Sequence, residues 1–172
     1  MIAFRPLGDD ELPLLHEWLQ RPHVRRWWYD AAETLEGTRE QYLPALEGRD
    51  PSDLYLILLD EEPVGMIQTY LVADHPDYAA LTGVGAGVAG VDLLIGEEAL
   101  TGRGLGAEVI RVFVRDIVFG RPGVHACIAT VEAGNLASRR AFEKAGFHEV
   151  RALVEDGRPS RLLRLERPAG RA

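Results

Sequence analysis

The chain has 172 residues, 47% of them hydrophobic and 27% charged, with 27 acids against 19 bases and a formal charge of −8. Such a length and composition suit one globular domain, residues 1–172, with a core of its own. The acid excess opposes binding to a nucleic-acid backbone and favours a cationic small molecule wherever carboxylates converge on a cleft. No apolar run reaches the ~18 residues of a membrane span, and the opening residues lack the basic-then-apolar pattern of a secretion signal. Cys127 is alone and the histidines are scattered, so neither a disulfide framework nor a metal-ligand spacing is present. A cytoplasmic protein is the expectation.

Ile2 to Leu7 alternates apolar and polar residues, as a strand does, and meets a turn at Gly8-Asp9. Asp9 or Asp10 can cap a helix through Gln20, with Leu12, Leu15, Trp18 and Leu19 on one face. Pro22 breaks it, and Trp27-Trp28-Tyr29 follows on a polar connection, either as core anchors or as a ligand wall. Thr34 or Thr38 can start a second helix carrying Tyr42 and ending near Gly48, with Asp50 in the loop beyond. Leu54 to Leu59 reads as a buried strand, and Val64 to Val72 as its antiparallel partner with Gln68 and Tyr70 on one face. Residues 73–87, which include Asp77, read as a long irregular loop, the kind that often carries function.

Val88 to Ile95 is the central strand, and Asp92 inside it is out of place among apolar neighbours unless it has a partner or a purpose. Glycines 102, 104 and 106 then open a helix over 105–119. They let the backbone approach a ligand closely, and the helix start aims unpaired N–H groups at an anion such as a pyrophosphate. Val124 to Val131 is a further strand. Asn135 caps a helix through Ala145, and Gly146 stops it. Phe147 to Val154 and Pro159 to Leu165 form a hairpin around Asp156-Gly157, and 167–172 is a frayed tail.

Thr101-Gly102-Arg103-Gly104-Leu105-Gly106 and the helix from Asn135 to Phe147, with its Ser-x-x-x-Phe-x-Lys-x-Gly-Phe ending, resemble the two cofactor motifs of the GNAT (Gcn5-related) N-acetyltransferases. Glu17-Trp18-Leu19, Arg21-Pro22-His23-Val24, Trp27-Trp28, Glu40-Gln41-Tyr42-Leu43-Pro44, Glu62-Pro63-Val64-Gly65 and Gly90-Val91-Asp92 are similar to stretches of the aminoglycoside 6′-N-acetyltransferases within that family. The resemblance implies an α/β (α+β) GNAT fold: a mixed, mostly antiparallel central sheet flanked by helices, with splayed central strands holding acetyl-CoA. It implies acetylation of the 6′-amino group of an aminoglycoside by direct attack of the amine on the thioester, in a monomer or weak homodimer, without a metal.

By the same resemblance Asp92 is the catalytic base. An aspartate of ordinary pKa, about 3.9, mainly holds an ammonium and passes its proton to water; neighbouring acids or burial strengthen it as a base. Leu93, Leu94 and Ile95 pair with the pantetheine arm, and an N–H of Leu93 or Leu94 meets the thioester oxygen. Arg103, Gly104, Leu105, Gly106 and Ala107 surround the pyrophosphate, while Asn135 and Ser138 meet the cofactor arm. Trp28 and Tyr42 are aromatic walls for the acceptor, Gln68 and Tyr70 are polar contacts, and Asp77, Asp50, Glu132 and Asp156 are anions for its amino groups.

Two departures from the family stand out. Thr101 replaces a glutamine or arginine, and Phe142 stands where many members carry the tyrosine that protonates the leaving thiolate. The alternatives to an aminoglycoside acetyltransferase are a lysine-type N-acyltransferase of siderophore biosynthesis and a non-catalytic coenzyme A-binding module.

Overall fold

A computed structural model describes residues 1–170. Its seven strands form one sheet in the order β1-β2-β3-β4-β5-β7-β6, where β1 is Ile2–Pro6, β2 Ser52–Leu59, β3 Glu62–Leu71, β4 Val88–Ile95, β5 Ala126–Glu132, β6 His148–Glu155 and β7 Arg158–Glu166. The helices are α1 Leu12–Gln20, α2 Pro22–Arg25, α3 Leu35–Leu46, α4 Pro76–Thr82, α5 Leu105–Phe113 and α6 Leu136–Lys144. The mixed, mostly antiparallel sheet with flanking helices is the expected architecture. The chain divides into two compact units, Met1–Thr69 with Asp92–Arg103, and Tyr70–Val91 with the chain from Gly104 onward.

In the first unit β1 runs antiparallel to β2, from Ile2↔Leu59 to Pro6↔Tyr55. The acidic run Asp9–Glu11 forms a single 3-10 turn before α1, and Glu11 reaches back to accept the Gly8 N–H at 2.7 Å. The apolar stripe of α1 works as its spacing predicts: Leu12, Leu15, Trp18 and Leu19 are fully buried and pack with Met66 and Leu94. Thr34 caps α3, its Oγ1 accepting the Gly37 N–H at 3.0 Å. The hydroxyl of buried Thr38 meets His16 Nδ1 at 2.8 Å, a polar tie between α3 and α1.

In the second unit β5 lies antiparallel to β7, and β7 to β6, with a bulge between Glu149 and Arg151. β4 runs parallel to β5 over Val88↔Ala126, Ala89↔Cys127 and Gly90↔Ile128. The segment read as irregular over 73–87 contains α4. Pro76 begins it, where a missing N–H is tolerated, and Gly83 ends it at φ +68. Beyond Phe113 the helical path widens into a π-turn over Val114–Val118, where the Phe119 N–H donates to Val114 O at 2.8 Å and both Val118 and Phe119 are buried.

Asn135 caps α6 as expected, its Oδ1 accepting the Ser138 N–H at 3.2 Å. The chain at Arg167 is not frayed. Its N–H donates to His125 O at 2.7 Å and its guanidinium to Val124 O at 3.2 Å. The final two residues of the expected tail lie outside the described residues.

Candidate active site

Asp92 is half-buried near the middle of β4, and Gln68 of β3 donates from Nε2 to its Oδ2 at 3.1 Å. Close by, Trp28 Nε1 donates to the Tyr42 hydroxyl at 3.2 Å, joining the segment after α2 to α3. Both rings are partly buried against the core that holds Leu94. Burial pushes the Tyr42 phenol up to about 12; the Trp28 N–H opposes this, while Asp30 and Asp92 add to it. The first unit thus brings four expected residues, Asp92, Gln68, Trp28 and Tyr42, into one neighbourhood: a carboxylate, an amide and two aromatic rings. A protonated amine fits such a group, because the carboxylate supplies charge and the ring faces supply the cation's apolar walls. Asp50, on the loop after α3, has a buried Oδ1 that meets no hydrogen-bond partner.

The glycine loop behaves as a cradle. Gly102 and Gly104 adopt φ +70 and +83, and a Cβ on either would have open space around it. No side chain caps α5 at Gly104, so the first N–H groups of the helix are not taken by a capping side chain. Thr101 is exposed and donates from Oγ1 back to Glu98 O at 2.7 Å. Arg103 and Gly104 are exposed, Leu105 is half-buried and Ala107 is buried. Gly106 lies in the first turn of α5, where an added Cβ would make an ordinary contact of 3.5 Å with the Ala141 Cβ of α6. An open glycine backbone at an uncapped helix start fits a diphosphate.

The remaining residues expected to meet the acceptor lie in the second unit. Tyr70 is 9% exposed and packs edge-on to His75 and Tyr78, at 4.8 and 5.9 Å between ring centroids. Its ring also fills the space above Gly90, where any Cβ would overlap it. Tyr70 is therefore largely a packing residue. Asp77 is exposed in the first turn of α4, Asp156 is exposed at φ +49 in the β6–β7 turn, and Glu132 is half-buried at the end of β5. Phe142 is 2% exposed and stacks edge-on with Phe147 at 5.1 Å between centroids. It fills core on α6 and offers no proton to any ligand.

Motif reading gave no role to Arg21, His23 and Glu97. Arg21 donates to Glu17 at 2.7 Å and to the Gly96 carbonyl at 2.7 Å, and pairs with Glu97 at 3.0 Å. These bonds, Glu17 first, raise the Arg21 pKa, and Arg21 in turn holds the Glu97 carboxyl below its ordinary range.

A strand-borne carboxylate beside an amide and two aromatic rings, followed in the chain by a glycine loop opening a helix, defines an acyltransferase of the GNAT architecture. The chain belongs to the GNAT acetyltransferase family: the model of the acetyltransferase (GNAT) domain matches residues 8–154. Among known proteins, the aminoglycoside N(6′)-acetyltransferase type 1 of Klebsiella pneumoniae is 32% identical over 148 residues, 85% of this chain and 73% of that protein. The Serratia marcescens protein of the same name matches equally. The crystal structure of aminoglycoside acetyltransferase AAC(6′)-Ib with coenzyme A superposes with a TM-score of 0.89 at 30% identity, over 97% of this chain and 95% of that one. Its complex with coenzyme A and kanamycin gives 0.88 at 30% identity, over the same shares of the two chains.

Proposed function

We infer that this chain transfers the acetyl group of acetyl-CoA to the 6′-amino group of an aminoglycoside. The observation that carries the reading is the Asp92 carboxylate, held by Gln68 beside the Trp28–Tyr42 pair. Relatives named for this activity support the acceptor class. An aliphatic amine is protonated at neutral pH and has no lone pair to attack with. Asp92 draws the ammonium in and orients it, and its carboxylate passes the proton to water before the freed lone pair attacks; a second N–H proton leaves to water as the amide forms. Bound acetyl-CoA supplies the thioester, whose carbon–sulfur bond breaks as the amide forms.

An N–H of Leu93 or Leu94 meets the carbonyl oxygen as it gains charge. The main chain of Leu93–Ile95 pairs with the pantetheine amides in strand fashion. The amides from Arg103 to Ala107 hold the pyrophosphate. Asn135 offers its amide nitrogen to the same arm beside Ser138, since its Oδ1 is engaged in the α6 cap. In the first unit Trp28 and Tyr42 form the wall of the acceptor site, Gln68 makes its polar contact and Asp50 attracts a further ammonium group, while Asp77, Glu132 and Asp156 of the second unit add to the negative charge that draws a polycation. Phe142 gives no proton to the departing sulfur, which leaves as thiolate or takes a proton from water; a thiol pKa of about 8.5 makes that exit accessible. A cytoplasmic location follows from the need for acetyl-CoA, and among the described residues no helix is long and apolar enough to cross a membrane.

The test is coenzyme A release with kanamycin and acetyl-CoA, wild type against Asp92→Ala. Turnover that falls about 10²- to 10⁴-fold in the variant supports both acceptor class and base. Equal turnover in both removes Asp92 as the base. No wild-type turnover, with acetyl-CoA still bound, rejects the aminoglycoside and points to a lysine-type amine.

A further inference from the structure

The end of β4 and the two residues after it are gripped by Arg21, between α1 and α2, by His23 of α2 and by Trp18 of α1. Arg21 Nη1 donates to Gly96 O at 2.7 Å, and His23 Nε2 donates to Ile95 O at 2.9 Å. A carbonyl only accepts, so the His23 proton sits on Nε2 in this contact. The Glu97 carboxylate receives Arg21 at 3.0 Å and the Trp18 indole N–H at 3.3 Å. Gly96 also donates its N–H to Val64 O at 2.8 Å, and a Cβ there would overlap the Trp18 ring. Three consecutive residues, Ile95 to Glu97, are thus fixed by side chains of α1, α2 and the Arg21 link between them, just before the loop through Arg103.

Their position matters because they lead directly into that loop. Glu98 to Arg103 is a single 3-10 turn followed by exposed residues. The direction in which the backbone leaves β4 therefore sets the path of the chain over Glu98 to Arg103. Glu97 adds an electrostatic demand. An unpaired carboxylate just ahead of an anion cradle repels the anion, and the Arg21 pairing weakens that repulsion.

We propose that Arg21 and His23 are positioning residues for the cofactor loop, setting acetyl-CoA affinity through Ile95, Gly96 and Glu97. The proposal rests on the reading that the loop holds the cofactor's pyrophosphate. Arg21 supplies what a lysine cannot: its forked guanidinium reaches Gly96 O, Glu97 and Glu17 together.

The test is calorimetric titration of coenzyme A into wild type, Arg21→Met, Arg21→Lys and His23→Phe, at a temperature where circular dichroism shows each variant folded. The expected result is a Kd raised about 10-fold in Arg21→Met and less in Arg21→Lys, with the kanamycin KM within about 2-fold of wild type. His23→Phe keeps the ring and loses the bond to Ile95; its Kd rises about 3-fold or more, and it serves alone if Arg21→Met does not fold. Variants that lose melting temperature but bind coenzyme A like wild type overturn the proposal and leave the clamp a purely structural device. Wild type that fails to bind coenzyme A overturns the functional reading beneath it as well.

Discussion

Gln68 Nε2 donates to Asp92 Oδ2 at 3.1 Å, from β3 to β4. This bond supports the ionised form of the carboxylate, the form able to take a proton. Gln68→Glu reverses the arrangement with almost no change of shape. Two carboxylates at this distance cannot both ionise easily, so one proton is retained to higher pH. The expected outcome is an acid limb of the kcat/KM profile that moves to higher pH by about one unit or more, with activity recovered above the moved limb. An unmoved limb means that Asp92 ionisation does not govern the rate.

Tyr42 gives a prediction at the other end of the pH scale. Its phenol is pushed up to about 12, chiefly by burial. In the unfolded chain it titrates near 10. Between these values the folded protein holds a proton that the unfolded chain has lost, so stability is intact below about pH 10 and falls as pH rises toward 12. Urea unfolding at pH 9 and pH 11 measures the drop. Tyr42→Phe starts from lower stability, having lost the bond with Trp28, and shows a smaller drop over this interval. Equal drops in the two proteins count against Tyr42 as the source.

Local chemistry was readable ahead of the structure, and contacts between distant residues were not. The Thr34 and Asn135 caps follow from a side chain and an N–H a few residues on, so the sequence displays them directly. Asp92 announced itself as an acid in an apolar strand. α4 was hidden because a seven-residue helix between Pro76 and Gly83 has almost no periodicity to display. Tyr70 looked like a polar contact because a residue type does not say whether a ring is buried; the glycine two positions before Asp92 takes that ring against the backbone. The Arg21 and His23 clamp spans 75 and 72 residues of chain. Neither residue stands at a spacing that betrays its distant carbonyl.

Two glycines close in sequence have separable jobs. Gly96→Ala drives a methyl into the fully buried Trp18 indole, and overpacking of this kind costs about 1–3 kcal/mol. Gly104→Ala meets no atom, and only its positive φ resists, at about 1–2 kcal/mol. The methyl at 104 does, however, stand on the cradle backbone that an anion must approach. The expected contrast is the larger loss of urea stability in Gly96→Ala and the larger rise in the coenzyme A Kd in Gly104→Ala, about 10-fold or more. Coenzyme A binding by Gly104→Ala equal to wild type places the diphosphate elsewhere.

Phe142→Tyr restores the residue that many family members carry, and it is expected to restore nothing. The ring is 2% exposed and stacked on Phe147, so a new hydroxyl enters core where its nearest ring partner offers no acceptor. Burying a hydroxyl without a partner costs about 1–3 kcal/mol on the scale of protein substitutions. The variant should therefore unfold at lower urea, with kcat for acetyl transfer unchanged or reduced. Thiol departure here does not depend on a proton from position 142, so its solvent isotope effect should match that of wild type. A kcat raised about 10-fold, with a new alkaline limb that is absent from wild type, reveals instead that the α6 ring faces the departing sulfur and that the phenylalanine slows the enzyme.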